Sequence, residues 1–588
     1  MRSTSLALAA GILSSTANGQ FVPAPTDLIS KKGFLDLSVR YKEVPEGICE
    51  LTPGVKSYSG YVDVEEDQHI FWWFFEARNQ DPTTAPLTVW INGGPGSSSM
   101  IGLFQELGPC GIDSNGSVVY NPYAWNNVSN MLFIDHPAQV GFSYSDPVPA
   151  YTSSSGDIVQ LPNTTCPDYA ADLSCGTYSA PNVSDTANTT QGAAPSMWKT
   201  LQGFTGAFPQ YSRHQFNFAT ESYGGHYGPV FNEYLEEQNA LIKDGKLPGA
   251  HYIKLSTLLI GNGWYDPLVQ YQAYYNFSIY PGNTYDFDVY NESTKSMIYN
   301  AMYGPGNCYD MTVDCYKSGL NDICSTADAW CYNEVEAPLD SIADRDEYAF
   351  PYTFFVHYLN SEKVQAAVGA FVNYSESSST VSAAFTTTGD DDRESGTIEA
   401  LQKLLKQGVY FVEFAGDADY NCNWLGGEVV SEMIEAPGFS TAGYTNMSTS
   451  DNIVHGQVKQ AGTFAFARIY ESGHEVPFYQ PLAALEMFER AICGLDIADG
   501  KHNVRHGYKT VGTPRSTFRE GNATVQFGQV PADAIYNTTT NQPNPYNSTV
   551  AKRSIGEKKR SERSTKLFKP GPAMEKSRRR FIGLGDSL

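Results

Sequence analysis

A serine lies in a sharp-turn motif between a predicted strand and a predicted helix. Thr220-Glu-Ser-Tyr-Gly224 follows the apolar run 216–220 and precedes residues 230–237, which have a helical pattern. Such a turn holds the serine at the end of a strand, where small neighbours leave its hydroxyl open for nucleophilic attack. Thr220 stands where strict G-x-S-x-G has a glycine. Because serine in a tight turn is usually only a turn residue, the motif indicates a nucleophile only when partners are also present.

A nucleophilic serine needs a histidine base and an acid that orients the base. Gly416-Asp-Ala-Asp419 follows one later predicted strand, and Glu471-Ser-Gly-His474 follows the next. The order serine, acid, histidine is the one expected when each residue follows a successive strand. We therefore predict Ser222 as nucleophile, His474 as base and Asp419 as orienting acid, with Asp417 as the rival acid. His136 and His226 precede or crowd the serine motif, so chain order argues against them.

A glycine-rich loop could supply the donors that stabilise an oxyanion. Trp90-Ile-Asn-Gly-Gly-Pro-Gly96 follows another predicted strand and has three glycines in four positions. Glycine lets backbone amides approach a substrate closely. An ordinary glycine-rich turn is the alternative, and the presence of the serine motif favours the oxyanion loop.

These motifs require strands that end at one edge of a sheet. Short apolar runs alternate with helical stretches, which predicts an α/β fold with a mostly parallel central sheet. An antiparallel hairpin at the edge of the sheet is predicted at residues 59–64 and 70–76. The predicted parallel strands are 86–91, 131–134, 216–220, 255–260, 409–414 and 464–469. Loops at the carboxyl ends of such strands are where α/β sheets bind ligands.

The alternation is interrupted between about residues 265 and 355, and we predict an insertion, or cap, over the ligand edge. Cys308, Cys315, Cys324 and Cys331 are spaced 7, 9 and 7 residues apart, which suits a nested disulfide pair, 308 to 331 and 315 to 324. A zinc site is the alternative, but paired zinc ligands usually lie closer in sequence. The other six cysteines leave many pairings open.

The N-terminus resembles a secretory signal. Arg2 precedes a short apolar stretch, residues 6–13, and the small residues 17–19. A buried N-terminal helix is the alternative. Twelve Asn-x-Ser/Thr sequons agree with a secreted glycoprotein, with half or more expected to be occupied. We expect secretion, and a vacuolar or lysosome-like compartment is the less favoured alternative. They are Asn115, Asn127, Asn163, Asn182, Asn188, Asn276, Asn291, Asn373, Asn446, Asn522, Asn537 and Asn547.

The charge balance limits the possible partners. The chain has 588 residues, 64 acidic and 39 basic, and a net charge of −25. An acidic body repels phosphate, which argues against nucleic acid. No apolar run is long enough to span a membrane. Residues 551–588 alone carry +8. This basic tail is either removed at its Lys/Arg clusters or is a solvated extension.

The predicted organisation follows from these features. Residues 1–19 form the signal peptide, 20–264 and 356–500 the two parts of the core, 265–355 the insertion, and 501–588 an extension with the basic tail. The sequence gives no sign of a cofactor or a metal site, and it does not indicate an oligomeric state.

Several motifs resemble the serine carboxypeptidases of the α/β-hydrolase superfamily, in particular the secreted fungal type. The resemblance covers roughly residues 40–500. It rests on motifs 90–96, 106–109, 141–144, 221–227, 261–267, 416–419 with Cys422, and 473–477. It implies an α/β-hydrolase fold with a disulfide-bearing cap.

The resemblance also implies roles for single residues. Ser222, Asp419 and His474 match the catalytic triad, and the backbone amides of Gly94 and Tyr223 match the oxyanion donors. Four residues match those that hold the substrate's C-terminal carboxylate: Asn92, Gly93, Glu106 and Glu221. Cys422 and Glu475 match positions that line the substrate site.

Three departures from the family pattern are expected to alter the surroundings of the site. Ser97 stands where a cysteine is common, so the usual disulfide cannot form there, and Cys49 to Cys110 is the alternative pairing that we expect. His136 replaces a common glutamine, and the loop 137–140 also differs.

We therefore predict a secreted serine carboxypeptidase that releases C-terminal amino acids from peptides and proteins, with an acidic optimum. The runner-up is an acyltransferase or esterase with the same triad, which would favour ester synthesis when an alcohol is supplied. A catalytically silent binding glycoprotein is the third hypothesis, and the intact Ser222, Asp419 and His474 argue against it.

Overall fold

The computed structural model describes residues 21–171, 173–279, 290–339, 353–504 and 507–516, and two short strands at 536–537 and 542–543. The predicted signal peptide and the basic tail lie outside the described residues, as do the sequons at Asn522 and Asn547.

A twelve-stranded sheet forms the centre of the fold, and we number its strands in chain order. They are β1 Ile29–Lys32, β2 Ser38–Glu43, β3 Ser57–Glu65, β4 Gln68–Phe75, β5 Leu87–Ile91, β6 Asn130–Ile134, β7 Phe216–Glu221, β8 Leu255–Gly261, β9 Tyr410–Gly416, β10 Thr445–Ser448, β11 Val454–Ala461 and β12 Phe464–Ile469. Their spatial order is β1-β2-β3-β4-β6-β5-β7-β8-β9-β12-β11-β10. The central six strands are parallel, namely β6, β5, β7, β8, β9 and β12. Antiparallel strands flank them on both sides. The predicted parallel strands and the antiparallel hairpin, β3 and β4, are confirmed. The hairpin is not at the edge of the sheet, as predicted, because β2 pairs with β3 and β1 forms the edge.

Apolar side chains on both faces explain why these segments form strands. In β4, Trp72 and Phe74 belong to one core cluster, whereas Phe71 and Trp73 belong to the other. All four are fully buried. Because successive side chains in a strand point to opposite faces, the continuous aromatic run places β4 between two packed layers.

Helices cover both faces of the sheet. They are α1 Thr190–Ala207, α2 Gly224–Lys243, α3 Pro267–Ser278, α4 Glu292–Tyr303, α5 Cys308–Ser318, α6 Asn321–Cys331, α7 Phe354–Leu359, α8 Glu362–Val368, α9 Ser379–Thr388, α10 Thr397–Lys406, α11 Trp424–Met433, α12 Val476–Tyr479 and α13 Pro481–Ile492. None of the helices in the described ranges is long and apolar enough to cross a membrane.

Small sheets lie outside the central one. A three-stranded sheet joins Pro147–Thr152, Ile158–Gln160 and Ser174–Ser179, and a hairpin joins Cys110–Ile112 and Val118–Tyr120. The segment between β8 and β9 contains α3 to α10. The limits of the predicted domains stay predictions.

Four disulfides are present in the described part of the chain. The predicted nested pair is confirmed as Cys308–Cys331 and Cys315–Cys324, which join α5 to α6. Cys49–Cys110 is also confirmed, and Cys166–Cys175 closes a loop within the small three-stranded sheet. Cys422 and Cys493 take no part in these four bonds.

Candidate active site

The turn between β7 and α2 places Ser222 in a left-handed backbone conformation, with φ +61°. A non-glycine residue rarely adopts such a conformation, and its surroundings must hold it there. The Ser222 amide donates hydrogen bonds to the carbonyls of Gly261 and Asn262, at 3.0 and 3.1 Å, at the end of β8. The turn is therefore fixed against the neighbouring strand.

Glycines after Ser222 provide the space that the turn requires. A Cβ atom on Gly224 would lie 2.1 Å from the Thr220 hydroxyl oxygen, and one on Gly225 would lie 2.3 Å from the Trp264 carbonyl oxygen. Thr220 replaces the usual glycine without opening the turn, because Gly224 leaves room for its side chain.

The His474 ring meets the Asp419 carboxylate, the second acid of the motif 416–419, at the end of β9. His474 Nδ1 lies 2.8 Å from Asp419 Oδ2. Asp419 also accepts hydrogen bonds from the backbone amides of Asn421 and Cys422 and from the Asn262 side chain. These donors hold Asp419 in an orientation that serves the histidine.

The pKa of His474 is raised from its ordinary value although the side chain is buried. Burial itself disfavours the charged form. The charge of Asp419 and the hydrogen bond to it outweigh burial, and the charges of Glu475 and Glu106 add to the effect. The imidazolium that forms when His474 takes a proton is thus stabilised in place.

Asp417, the rival acid, has a different partner. Its carboxylate lies 3.2 Å from Arg468 Nη2 and accepts the backbone amide of Glu471 at 2.9 Å. Arg468 also stacks over the Trp424 ring, at 3.9 Å from its centroid. The buried pair of Asp417 and Arg468 ties the loop that carries Asp419 to the strand that precedes His474.

The predicted oxyanion loop packs directly against the serine turn. A Cβ on Gly93 would lie 2.4 Å from the Tyr223 amide nitrogen and 2.9 Å from Ser222 Cβ. Gly94 has φ +109°, which favours glycine. The predicted donors, Gly94 and Tyr223, therefore lie on adjoining turns beside Ser222.

A cluster of buried polar groups lies behind this loop. Asn92 Nδ2 donates to Glu221 Oε1 at 2.8 Å and lies 3.5 Å from Glu106 Oε1. Trp90 Nε1 and the Gly102 amide both donate to Asn92 Oδ1, which fixes the orientation of the amide. Glu106 belongs to a π-helical turn, Gly102–Glu106.

Burial raises the pKa of Glu106 well above its ordinary value, and the charge of Glu221 and a hydrogen bond to it raise it further. Burial also raises the pKa of Glu221, with added repulsion from Glu475. Two carboxyl groups so placed hold a shared proton more firmly than either would alone. The cluster can therefore donate a hydrogen bond to an anion.

The structure brings all the sequence-predicted site residues to the carboxyl ends of β5, β7, β9 and β12 or to the turns beside them. Cys422 is buried next to Asp419, and its backbone amide donates to that carboxylate. His136 and His226 are buried, with pKa values that burial lowers to about 3 and about 4, and the His226 ring packs against the Tyr223 ring with centroids 4.8 Å apart. His136 Nε2 lies 2.8 Å from the Ser196 hydroxyl.

Sequence reasoning missed Asn262 as a residue of the site. Its side chain donates to Asp419, and its Oδ1 accepts the Gly416 amide at 3.0 Å. Asn262 directly follows β8, so the rule that sites lie at the carboxyl ends of parallel strands could have found it.

The region of Ser97 shows how the chain compensates for the missing cysteine. Ser97 pairs with Ser377 in an isolated antiparallel bridge. The Ser98 amide donates to the Glu376 carbonyl at 2.9 Å, and the Ser378 amide donates to the Gly96 carbonyl at 3.0 Å. Backbone hydrogen bonds thus hold the two segments together.

Comparisons with known proteins agree with this geometry. A family model described as serine carboxypeptidase matches residues 45–494. Carboxypeptidase S1 homolog B of Arthroderma otae is 41% identical over 82% of this chain and 80% of its own length. Carboxypeptidase S1 of Penicillium janthinellum is 36% identical over 76% of this chain and 97% of its own length.

A solved structure has a similar fold. The crystal structure of a prohormone-processing carboxypeptidase from Saccharomyces cerevisiae aligns with a TM-score of 0.59 and 21% identity, over 80% of this chain and 99% of that one.

Proposed function

The chain belongs to the serine carboxypeptidase family, and from this premise we propose that it is a secreted enzyme that removes single C-terminal residues through an acyl-enzyme, best in mildly acidic solution. Its peptidase class follows from the family. The observation that favours cleavage at a free C-terminus is the buried group of Asn92, Glu106 and Glu221 beside Ser222.

The reaction that we propose has two steps. Ser222 Oγ attacks the carbonyl carbon of the last peptide bond while His474 takes the hydroxyl proton. The amides of Gly94 and Tyr223 donate to the developing oxyanion. The tetrahedral intermediate then collapses, the C–N bond breaks, and His474 passes the proton to the leaving amino group.

Water completes the cycle. His474 removes a proton from a water molecule, the resulting hydroxide attacks the ester carbonyl, and the Ser222 oxygen leaves with the proton that His474 returns. Asp419 holds Nδ1 of His474 throughout, so that the opposite ring nitrogen stays directed to the reaction.

The buried cluster of Asn92, Glu106 and Glu221 predicts that the pH dependence of activity differs between substrates with and without a C-terminal carboxylate. A glutamate can hydrogen-bond a substrate carboxylate only when one of the two carries a proton. The raised pKa values of Glu106 and Glu221 keep that proton in mildly acidic solution, and it is lost as the pH rises through those values. The raised pKa of His474 sets the acidic limb, because the base must be neutral.

We expect kcat/KM for a peptide with a free C-terminus to fall about tenfold per pH unit on the alkaline limb. The matching C-terminal amide should retain its activity there, since it has no carboxylate. Glu106→Gln, whose amide donates at every pH, should flatten the peptide profile. The measurement is kcat/KM against pH for both substrates, and coinciding profiles would refute carboxylate recognition.

Four disulfides and exposed sequons support the proposal of secretion. In the described residues, Asn115, Asn163, Asn182, Asn188, Asn291 and Asn446 are exposed. Asn373 differs, because it is only 5% exposed and its side chain accepts the Thr177 amide and donates to Asn360.

We expect N-glycans at some of the six exposed sequons and none at Asn373, because this residue is buried and its Nδ2 atom, to which a sugar would be attached, donates to Asn360. Mass spectrometry of glycopeptides from the secreted protein tests this. A glycosylated Asn373 would contradict it, and an Asn446→Gln variant with one glycan fewer provides the control.

A further inference from the structure

The side chain of Tyr223, the residue after the nucleophile, binds a buried carboxylate from a distant part of the chain. Its hydroxyl donates to Asp390 Oδ2 at 2.7 Å, and the two residues are 167 positions apart. Asp390 lies between α9 and α10. Burial, with the charges of Asp390 and Asp391, raises the pKa of Tyr223 well above its ordinary value. The phenol therefore keeps its proton and acts as the donor.

Asp390 also holds the start of a helix. The residue is fully buried, and the same Oδ2 atom accepts hydrogen bonds from the Thr190 amide at 2.8 Å and from the Thr190 hydroxyl at 2.6 Å. Thr190 is the first residue of α1. One carboxylate oxygen thus joins the start of α1 to the side chain that follows Ser222.

The burial of this carboxylate calls for an explanation. All three donors to Asp390 Oδ2 are neutral groups, and its Oδ1 atom has no donor among the described residues. Burial of a carboxyl group costs free energy that neutral donors offset only in part. A hydrogen bond to an ionised acceptor is about twice as strong as one between neutral groups. A carboxylate here therefore suits a contact that has to hold one side chain firmly.

Packing fixes the Tyr223 ring on its other sides. Its centroid lies 4.8 Å from that of His226, 5.1 Å from that of Tyr227 and 5.9 Å from that of Phe385. A tyrosine side chain has only two rotatable χ angles. When the ring and the hydroxyl are both held, the Cα atom and the backbone amide of Tyr223 are therefore restrained as well.

We infer that Asp390 is a positioning residue that, through the Tyr223 hydroxyl, holds the Tyr223 amide in place as an oxyanion donor. The inference rests on the proposed function, and it links the segment between β8 and β9 to the chemical step. Oxyanion donors act only when their geometry is fixed to within about 0.5 Å, and loss of one donor costs about 10²–10³-fold in kcat. A donor that is loosened rather than lost should cost about tenfold.

The test is a double-mutant cycle. Tyr223→Phe and Asp390→Ala should each lower kcat about tenfold with KM nearly unchanged, and the double variant should also lose about tenfold, because both changes remove one contact. Asp390→Asn, which keeps an acceptor oxygen, should retain most of the kcat. Tyr227→Phe is the matched control and should leave kcat unchanged, since that buried hydroxyl has no partner among the described residues.

A fluorophosphonate gives a second readout that does not require peptide cleavage. The Ser222 oxygen displaces fluoride, and the phosphoryl oxygen takes the oxyanion position. The rate constant for labelling should fall by the same factor as kcat in Tyr223→Phe and in Asp390→Ala. The final extent of labelling counts the folded molecules, so kcat is given per labelled site. If Asp390→Ala does not fold, the comparison of Tyr223→Phe with Tyr227→Phe decides the positioning role.

The outcomes separate the positioning role from the enzyme's function. A loss of about a hundredfold in the double variant would overturn the link between Asp390 and Tyr223. Labelling rates and kcat in Tyr223→Phe equal to those of the unmodified protein would overturn the positioning role. An unmodified protein that is labelled at Ser222 and releases no C-terminal residue would overturn the proposed function, and the labelling rates of the variants would still test the role of Asp390.

Discussion

Ser222→Ala lowers kcat for release of C-terminal amino acids by at least about 10⁴-fold, because the acyl-enzyme cannot form without the hydroxyl. The left-handed turn that presents Ser222 is held by backbone hydrogen bonds to the end of β8, and alanine keeps these bonds. Steady-state kinetics with a peptide substrate measure the loss, and KM should change little.

A fluorophosphonate probe provides the complementary readout. It should label the unmodified protein at Ser222 and leave Ser222→Ala unlabelled. Ser154→Ala, at an exposed position, serves as the control and should be labelled and active. Failure of the probe to label the unmodified protein would favour the silent binding glycoprotein.

Asp419→Asn should reduce kcat by about 10⁴-fold, because the amide cannot hold His474 in the required tautomer or stabilise its charge. The carboxylate accepts His474 Nδ1 at 2.8 Å and three further donors. The protein should remain folded, since asparagine has the same shape. Kinetics and thermal unfolding of the variant measure the two effects separately.

Asp417→Asn provides a matched control two residues away. It removes the negative charge that faces the buried Arg468 side chain, so the free energy of unfolding should fall by about 3 kcal/mol. The kcat per active site, counted by fluorophosphonate labelling, should be nearly unchanged. A kcat loss in Asp417→Asn as large as in Asp419→Asn would contradict the assignment of the acid.

The chain order of Ser222, Asp419 and His474 was predictable because each residue follows an apolar strand, and apolar runs mark buried parallel strands. The choice between Asp417 and Asp419 was harder. Both lie in one loop after β9, and the structure separates them by their partners, since Asp419 faces His474 whereas Asp417 faces Arg468 on the adjacent strand β12. The motif resemblance favoured Asp419, and the structure gives the physical reason.

The edges of the sheet were less predictable than its centre. All four residues of β1 are exposed, and no apolar pattern marks this strand. In β11 the buried side chains include Gln457, Lys459 and Gln460, whose partners lie on other elements. Hydrogen bonds and ion pairs from distant parts of the chain stabilise such strands. The pattern of apolar residues along the sequence does not reveal these contacts.

Long-range pairing also hid Glu376 and Asn373 from sequence reasoning. The backbone of Glu376 lies beside the loop 96–98 because residues 376–378 pair with residues about 280 positions earlier. Asn373 has the sequon pattern, yet its hydrogen bonds to distant backbone and side-chain groups bury it. Local motifs identify chemical types, and tertiary contacts decide which of them are accessible.

The positions of the four disulfides affect how the enzyme responds to proteolysis. Two of the four bonds join cysteines that precede Ser278, and the other two join cysteines from Cys308 onward. None of the four therefore links the part of the chain that carries Ser222 to the part that carries Asp419 and His474. A cut between Ser278 and Cys308 would leave two chains that separate in denaturant without a reducing agent. A cut between Cys315 and Cys324 would leave them covalently joined. In the first form, the pairing of β8 with β9 would help to keep the two fragments together.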